Sequence, residues 1–138
     1  MGAPMADTRS IYCCGCGRGV DARLTNGFEI YRHRPDLYQL PFWKCDACGN
    51  YVGCHHKTTT PTKPLGVIPT AAIKAERQKI HRLVDPLWQS GKWRRGHLYA
   101  EISRRIGKQY HTAEIRSVAE AHEILEAVKA IADGAANG

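Results

Sequence analysis

The feature that most constrains this chain is a pair of C-x-x-C motifs, Cys13-Cys14-Gly15-Cys16-Gly17 and Cys45-Asp46-Ala47-Cys48-Gly49, with 28 residues between them. Each motif can form a tight knuckle that aims two sulfurs at one ion, at about 2.3 Å for zinc. The glycine after each second cysteine suits a knuckle, because the chain there needs a positive φ that only glycine adopts cheaply. Four thiolates fill a tetrahedral shell and leave no position for an activated water. The expected cofactor is therefore one Zn2+, structural in role, held by Cys13, Cys16, Cys45 and Cys48. Residues Met1-Gly2-Ala3-Pro4-Met5-Ala6-Asp7 show neither a basic start nor an apolar run, so no secretory signal is expected. Six cysteines in such a chain read as reduced thiols and metal ligands before disulfides. No stretch approaches the roughly 18 apolar residues of a membrane span. A cytoplasmic protein is the expectation.

Two cysteines remain outside that set. Cys14 lies between two ligands, and its C-x-C spacing with Cys16 is too short to replace the knuckle, so it reads as a bystander. Cys54-His55-His56 offers a spare ligand or, with His33, a second metal site. The reading we favour makes Cys54 a buried small hydrophobe at a strand end. The role of His56 stays open.

Between the knuckles, Val20–Thr25 and Phe28–Arg32 flank Asn26-Gly27, the preferred pair for a two-residue type I′ turn. That register sets Thr25 opposite Phe28, Arg23 opposite Ile30 and Asp21 opposite Arg32. Phe42-Trp43 and Tyr51-Val52-Gly53 are short β-rich pieces beside the second knuckle. The expected fold class is α+β: an N-terminal zinc ribbon, built from a short antiparallel β hairpin, a third strand and a four-cysteine zinc site, packed with a C-terminal three-helix segment. The expected divisions are a flexible N-terminus (1–10), the ribbon (11–56), a linker or loop (57–68) with two prolines and no periodicity, a helical segment (69–134) and a flexible tail (135–138).

Helical periodicity begins after Pro69-Thr70, with Ile73, Ile80, Val84 and Leu87 on one stripe, and Asp85-Pro86 is expected to end that helix. A second helix spans about Arg94 to Ile106, with Leu98, Tyr99, Ile102 and Ile106 inward and Gly107 as its terminator. Ser117-Val118-Ala119-Glu120 is a capping box that opens a third helix. Its expected stripe is Val118, Ala121, Leu125, Val128 and Ala132, ending at Gly134. Trp88 and Tyr99 fall on apolar stripes and read as core.

The formal net charge of +7 is unevenly placed. Residues 74–108 carry ten Lys and Arg against Glu76, Asp85 and Glu101, whereas residues 109–138 are net negative. A basic segment of that density attracts polyanions, of which nucleic acid is the commonest in a cell. Arg77, Arg94, Arg95, Arg104, Arg105 and Lys108 are the candidate phosphate contacts, with Trp88, Trp93 and Tyr99 interleaved. On the first helix, Lys74, Arg77 and His81 form one stripe away from the apolar face.

The set Tyr12-Cys13-x-x-Cys16-Gly17, Ile30-Tyr31-x-His33-Arg34-Pro35-Asp36-Leu37, Phe42-Trp43-x-Cys45-x-x-Cys48-Gly49, Tyr51-Val52-Gly53-Cys54-His55, Pro64-Leu65-Gly66, Arg77, His81 and Asp85-Pro86-Leu87-Trp88 resembles the small zinc-finger-containing proteins of bacteriophages and prophages. The resemblance covers about residues 11–115. It implies a zinc site and a phage or prophage setting, in the cytoplasm of a bacterial host, and assigns no activity. This chain departs from the family at Cys14, where the family usually has proline, and at His56. The resemblance also puts weight on His33, Arg34, Asp36, His55, Arg77, His81 and Asp85. These are either structural, with Asp36 paired to Arg34 or Arg77, or the lining of a polar pocket for an anion or a second metal.

Three function classes follow. The leading one is a nucleic-acid-binding module, its geometry fixed by the ribbon and its phosphate contacts made by basic helices. The alternative is an accessory protein that binds and modulates an acidic host protein. A metal-dependent nuclease is the third, although no P-loop, nucleophile elbow or H-N-H type ββα sequence is present.

Overall fold

The computed structural model describes residues 7–137, with side chains through residue 134. The chain divides at Thr70/Ala71 into two compact units. The fold is α+β, as expected, with strands in the first unit and long helices in the second. Among the described residues, no helix is long and apolar enough to cross a membrane.

The first unit is a four-stranded antiparallel meander, β1 (Thr8–Cys13), β2 (Arg18–Asn26), β3 (Pro41–Lys44) and β4 (Tyr51–Gly53), in that spatial order. Cys13 pairs with Arg18 at one hairpin tip, and Lys44 pairs with Tyr51 at the other. In a meander the first and third connections lie at the same sheet end. The two C-x-x-C segments are those two connections, so the topology itself brings four cysteines together. Ile11, Ala22, Trp43 and Val52 pack with Cys13, Cys45, Cys54 and Ile68 to form a small core.

The expected hairpin at Asn26-Gly27 is not formed. Both edges of β2 are already taken, by β1 on one side and by β3 on the other, with Thr25 opposite Phe42 and Asp21 opposite Ser10. The pairing with β3 places the buried Phe42 and Trp43 on the sheet, which the exposed Phe28 would not do. Asn26 instead caps a short helix, α1 (Gly27–Ile30), its side chain accepting from the N–H groups of Phe28 and Glu29 at 3.1 and 3.4 Å. Glycine is required at 27 by close approach, because a Cβ there would lie 1.7 Å from Leu37 O. A single 3-10 turn, Pro35–Leu37, completes the connection to β3.

Two expected boundaries also move. Thr8–Ser10, read as part of a flexible N-terminus, belong to β1; residues 1–6 lie outside the described ones. Residues 57–68 are not a free linker. Trp43 Nε1 donates to Thr62 O at 2.7 Å, Leu65 N–H to Gly53 O at 2.9 Å and Ile68 N–H to Tyr12 O at 2.8 Å. These bonds lay the segment back on the sheet, where Val67 and Ile68 are buried. Its lack of periodicity reflects irregular backbone satisfied by strand edges.

The second unit holds α2 (Ala71–Gln89), α3 (Arg95–Ile106) and α4 (Val118–Asn137). Ile73, Ile80, Val84 and Leu87 are all buried, as their spacing predicts. Pro86 does not end α2. Proline removes one N–H and strains the turn before it, but Leu87 is buried beyond it and Ser90 N–H closes on Pro86 O at 3.0 Å. Gly107, at φ 75°, ends α3 in the left-handed conformation. Ser117 Oγ accepts from Glu120 N–H at 3.1 Å, the forward half of the expected capping box, while the Glu120 carboxylate turns to Lys108 at 3.1 Å. The buried stripe of α4 is Ala121, Ile124, Val128 and Ile131. Leu125 and Ala132, expected inward, are half-buried, because alternating steps of three and four put the two isoleucines at the centre. The expected tail begins inside α4, whose helix runs to Asn137; Gly138 lies outside the described residues.

Candidate metal centre

The four knuckle sulfurs lie within 4.8 Å of one another, with Cys13 Sγ 3.4 Å from Cys48 Sγ and Cys16 Sγ 3.6 Å from Cys45 Sγ. Four bonds of about 2.3 Å arranged tetrahedrally set sulfurs about 3.8 Å apart. The observed spacing fits that shell and is far from the roughly 2.05 Å of a disulfide. Among the described residues, no second group of three or more His, Cys, Asp or Glu side chains closes in this way.

The two knuckles are built alike. Gly17 N–H donates to Cys13 O at 2.8 Å and Gly49 N–H to Cys45 O at 2.7 Å, with φ of 71° and 82°. Both glycines therefore adopt the positive φ that their positions predict. Asn50 closes the second knuckle twice, accepting from Cys45 N–H at 2.9 Å and donating from Nδ2 to Cys48 Sγ at 3.3 Å. Cys13 and Cys45 are buried and Cys48 is exposed, so one side of the centre faces solvent.

Burial, with hydrogen bonds from the neighbouring sulfurs, pushes the Cys13 thiol up to about 12. Burial also opposes a Cys45 thiolate, but the Cys48 and Ala47 N–H groups and the adjacent thiols outweigh it and bring Cys45 down to about 7. Gathered thiols thus resist sharing negative charge among themselves. A divalent cation removes that cost by coordinating all four as thiolates.

A charge network braces the second knuckle. The Arg23 guanidinium, on β2, donates to Glu29 at 3.1 and 2.9 Å and to Asp46 at 2.8 and 2.9 Å. Lys44 Nζ reaches Glu29 at 2.9 Å, and Thr25 Oγ1 donates to the same carboxylate. Asp46 lies inside C-x-x-C, so Arg23 ties that loop to the sheet. Arg23, ahead of Thr25 and Lys44, holds the Glu29 carboxyl well below the usual carboxylate range. The sequence reading set Arg23 opposite Ile30 and missed this network, although the Asp between two cysteines was its visible signal.

The other candidate residues are distributed as follows. In the first unit, Arg34 and Asp36 form a two-bond exposed pair at 3.0 and 2.8 Å, one of the two pairings expected for Asp36. His33 is exposed, and the half-buried His55 anchors a turn by donating its N–H to Lys63 O at 2.8 Å. Cys54 is buried just after β4, and burial pushes its thiol up. Cys14 N–H donates to Ile68 O at 2.9 Å. In the second unit, His81 Nδ1 stands 3.7 Å from Asp85, which accepts from Trp88 Nε1 at 3.2 Å.

The basic candidates separate into engaged and available groups. Arg77 is half-buried, and its Nη2 donates to Ala113 O and Ile115 O, both at 3.0 Å. It therefore staples α2 to the loop before α4, contrary to its reading as an outward phosphate contact. That loop presents carbonyls that no helix satisfies, and Arg77 is the donor within reach. Arg104 and Arg105 both pair with Glu101, and Lys108 pairs with Glu120. Arg95 lies over the rings of Trp88 and Tyr99, at 5.1 and 5.3 Å. Those rings are half-buried instead of core. Arg94 forms no hydrogen bond or ion pair through its side chain among the described residues, and neither does Lys92. Glu76 was missed as well: it sits on the buried stripe of α2 and pairs with Lys79 at 2.9 Å and His122 at 3.4 Å. A carboxylate between Ile73 and Ile80 on one stripe was the signal.

Comparison with curated proteins and with solved structures gives no match. Residues 9–133 match the family model described as a zinc-finger-containing domain. The match includes all four knuckle cysteines and all but the ends of the chain, so this protein belongs to the zinc-finger-containing domain family.

Proposed function

We propose that this protein binds nucleic acid through the basic corner between α2 and α3, with one zinc ion per chain serving to hold the sheet unit together. Four thiolates fill the ion's shell, so its contribution is to folding. The observation that carries the nucleic-acid reading is the state of the cations at that corner. Lys92 and Arg94 have no internal partner among the described residues, and Arg95 is spread over Trp88 and Tyr99. Cations committed to stability are paired, as Arg104 and Arg105 are; unpaired ones beside half-buried aromatic rings suit phosphates and bases. The resemblance to phage and prophage proteins supports an accessory role inside a bacterial host.

The test is a gel-shift titration at roughly 50 mM salt, repeated as salt is raised, since each phosphate contact contributes about 0.9 to the log–log slope on duplex and about 0.7 on single strands. The K92A/R94A double variant should weaken binding for every sequence tried and flatten the slope by about one to two units. If the wild-type protein binds no duplex DNA, single-stranded DNA or RNA, the reading fails and an acidic host protein becomes the partner to seek.

A further inference from the structure

Two of the three tryptophans satisfy their indole N–H inside the fold, Trp43 on Thr62 O and Trp88 on Asp85. Trp93 is the exception. Its backbone is fixed by a 3.0 Å bond from its N–H to Leu87 O, and its side chain is half-buried. Its indole N–H has no partner among the described residues and is not one of their buried unmet polar atoms, so it is open to a ligand arriving from solvent. The ring borders a groove of about 520 Å3 within the helical unit, lined also by Lys92, Glu101, Arg105, Ala130 and Ile131. That volume is in the range of small-molecule sites.

The groove's chemistry is mixed in a particular way. Trp93 offers an aromatic face, and Ala130 and Ile131 offer apolar surface. Trp93 Nε1 and the Arg105 guanidinium are donors, and the Glu101 carboxylate is an acceptor. Arg105 and Glu101 hold each other at 3.0 Å, so donor and acceptor stand side by side. An aliphatic segment would leave these polar groups unpaired. A planar heteroaromatic ring with both donors and acceptors on its edge matches the whole set. Lys92 and Arg94, at the groove's mouth and next to it in sequence, supply cations for the phosphates on either side.

We propose that this groove takes one unstacked base of a single-stranded nucleic acid, laid on the Trp93 ring. The proposal rests on the nucleic-acid reading and narrows it, since a base paired inside a duplex cannot reach the ring.

The test compares single-stranded oligonucleotides, DNA and RNA, with a duplex of the same sequence on the full chain. Trp93→Ala should weaken single-strand binding roughly 5- to 150-fold, the range expected for one stacked base, and leave duplex binding and the salt slope unchanged. Trp93→Phe keeps an aromatic face and should retain most of the affinity, which also covers the case in which the alanine variant fails to fold. On the wild-type protein, 5-iodouracil oligonucleotides should photo-crosslink at Trp93, read by peptide mass spectrometry. Equal losses on single strand and duplex, no loss at all, or crosslinks only elsewhere would each overturn the stacking site while leaving polyanion binding intact. No binding of any nucleic acid by the wild type overturns both.

Discussion

The two units solve the same problem with different means. Among the described residues, the main core cluster of the sheet unit is eight buried residues, of which Cys13, Cys45 and Cys54 are three. The helical unit buries long aliphatic side chains instead, among them Ile80, Val84, Leu98, Ile102, Ile115 and Ile124, each 2% exposed or less. Burial of such a side chain contributes about 1.5–3 kcal/mol, so helices can be held by packing alone. Three cysteines and a few sheet residues supply less of that, and a zinc ion held as a structural one would add about 10–16 kcal/mol of apparent folding free energy at pH 7. Where the apolar core is thin, the polar chemistry of the chain decides the fold.

The comparison can be broken from either side. The largest effect is expected for Cys45→Ser, which should lose metal and the β-sheet together while the helical signal persists; elemental analysis and far-UV circular dichroism read both. Ile102→Ala, at a fully buried site in α3, should cost about 2–5 kcal/mol in denaturant unfolding of the helical unit. Zinc content should not change, and a loss of zinc would show that the two cores are not separate.

Arginine offers a finer comparison inside the helical unit. Arg77→Ala removes two hydrogen bonds from a charged donor to Ala113 O and Ile115 O and should destabilise by about 2 kcal/mol. Glu29→Gln has a smaller effect, and its sign depends on pH. The Glu29 carboxyl is held below its usual range by Arg23, Thr25 and Lys44. Its contribution is therefore complete above the unfolded value of about 4.3 and lost as pH falls through the folded value. The variant should be less stable at neutral pH and show a flatter stability curve in acid. Arg94→Ala should change stability by no more than about 0.5 kcal/mol, yet lower the salt slope of nucleic-acid binding by about 0.9 on duplex DNA. A large stability loss there would mean that Arg94 is engaged like Arg77.

What the sequence made legible follows the same division. Cysteine spacing and the two following glycines identified the centre, because metal geometry permits few alternatives. Helical stripes with Ile80, Val84 and Ile102 were legible because apolar burial enforces a period. The strands were harder. β1 is short and mostly exposed, with Ile11 as its buried aliphatic residue, so period-two alternation hardly registers. Asn26-Gly27 was misread because asparagine serves equally as a turn residue and a helix N-cap, and the choice was made by β3 occupying the edge of β2. Arg77 was misread because charge alone does not tell a donor to distant carbonyls from a solvated one. Those carbonyls lie more than 30 residues away in sequence.

The most direct test is residue-resolved amide hydrogen exchange on the full chain, with its metal and after chelation. The expected result is loss of protection in β1–β4, with protection in α2, α3 and α4 retained. A sheet that stays protected after the metal is removed, or helices that lose protection along with it, would contradict the assignment of one unit to coordination and the other to packing.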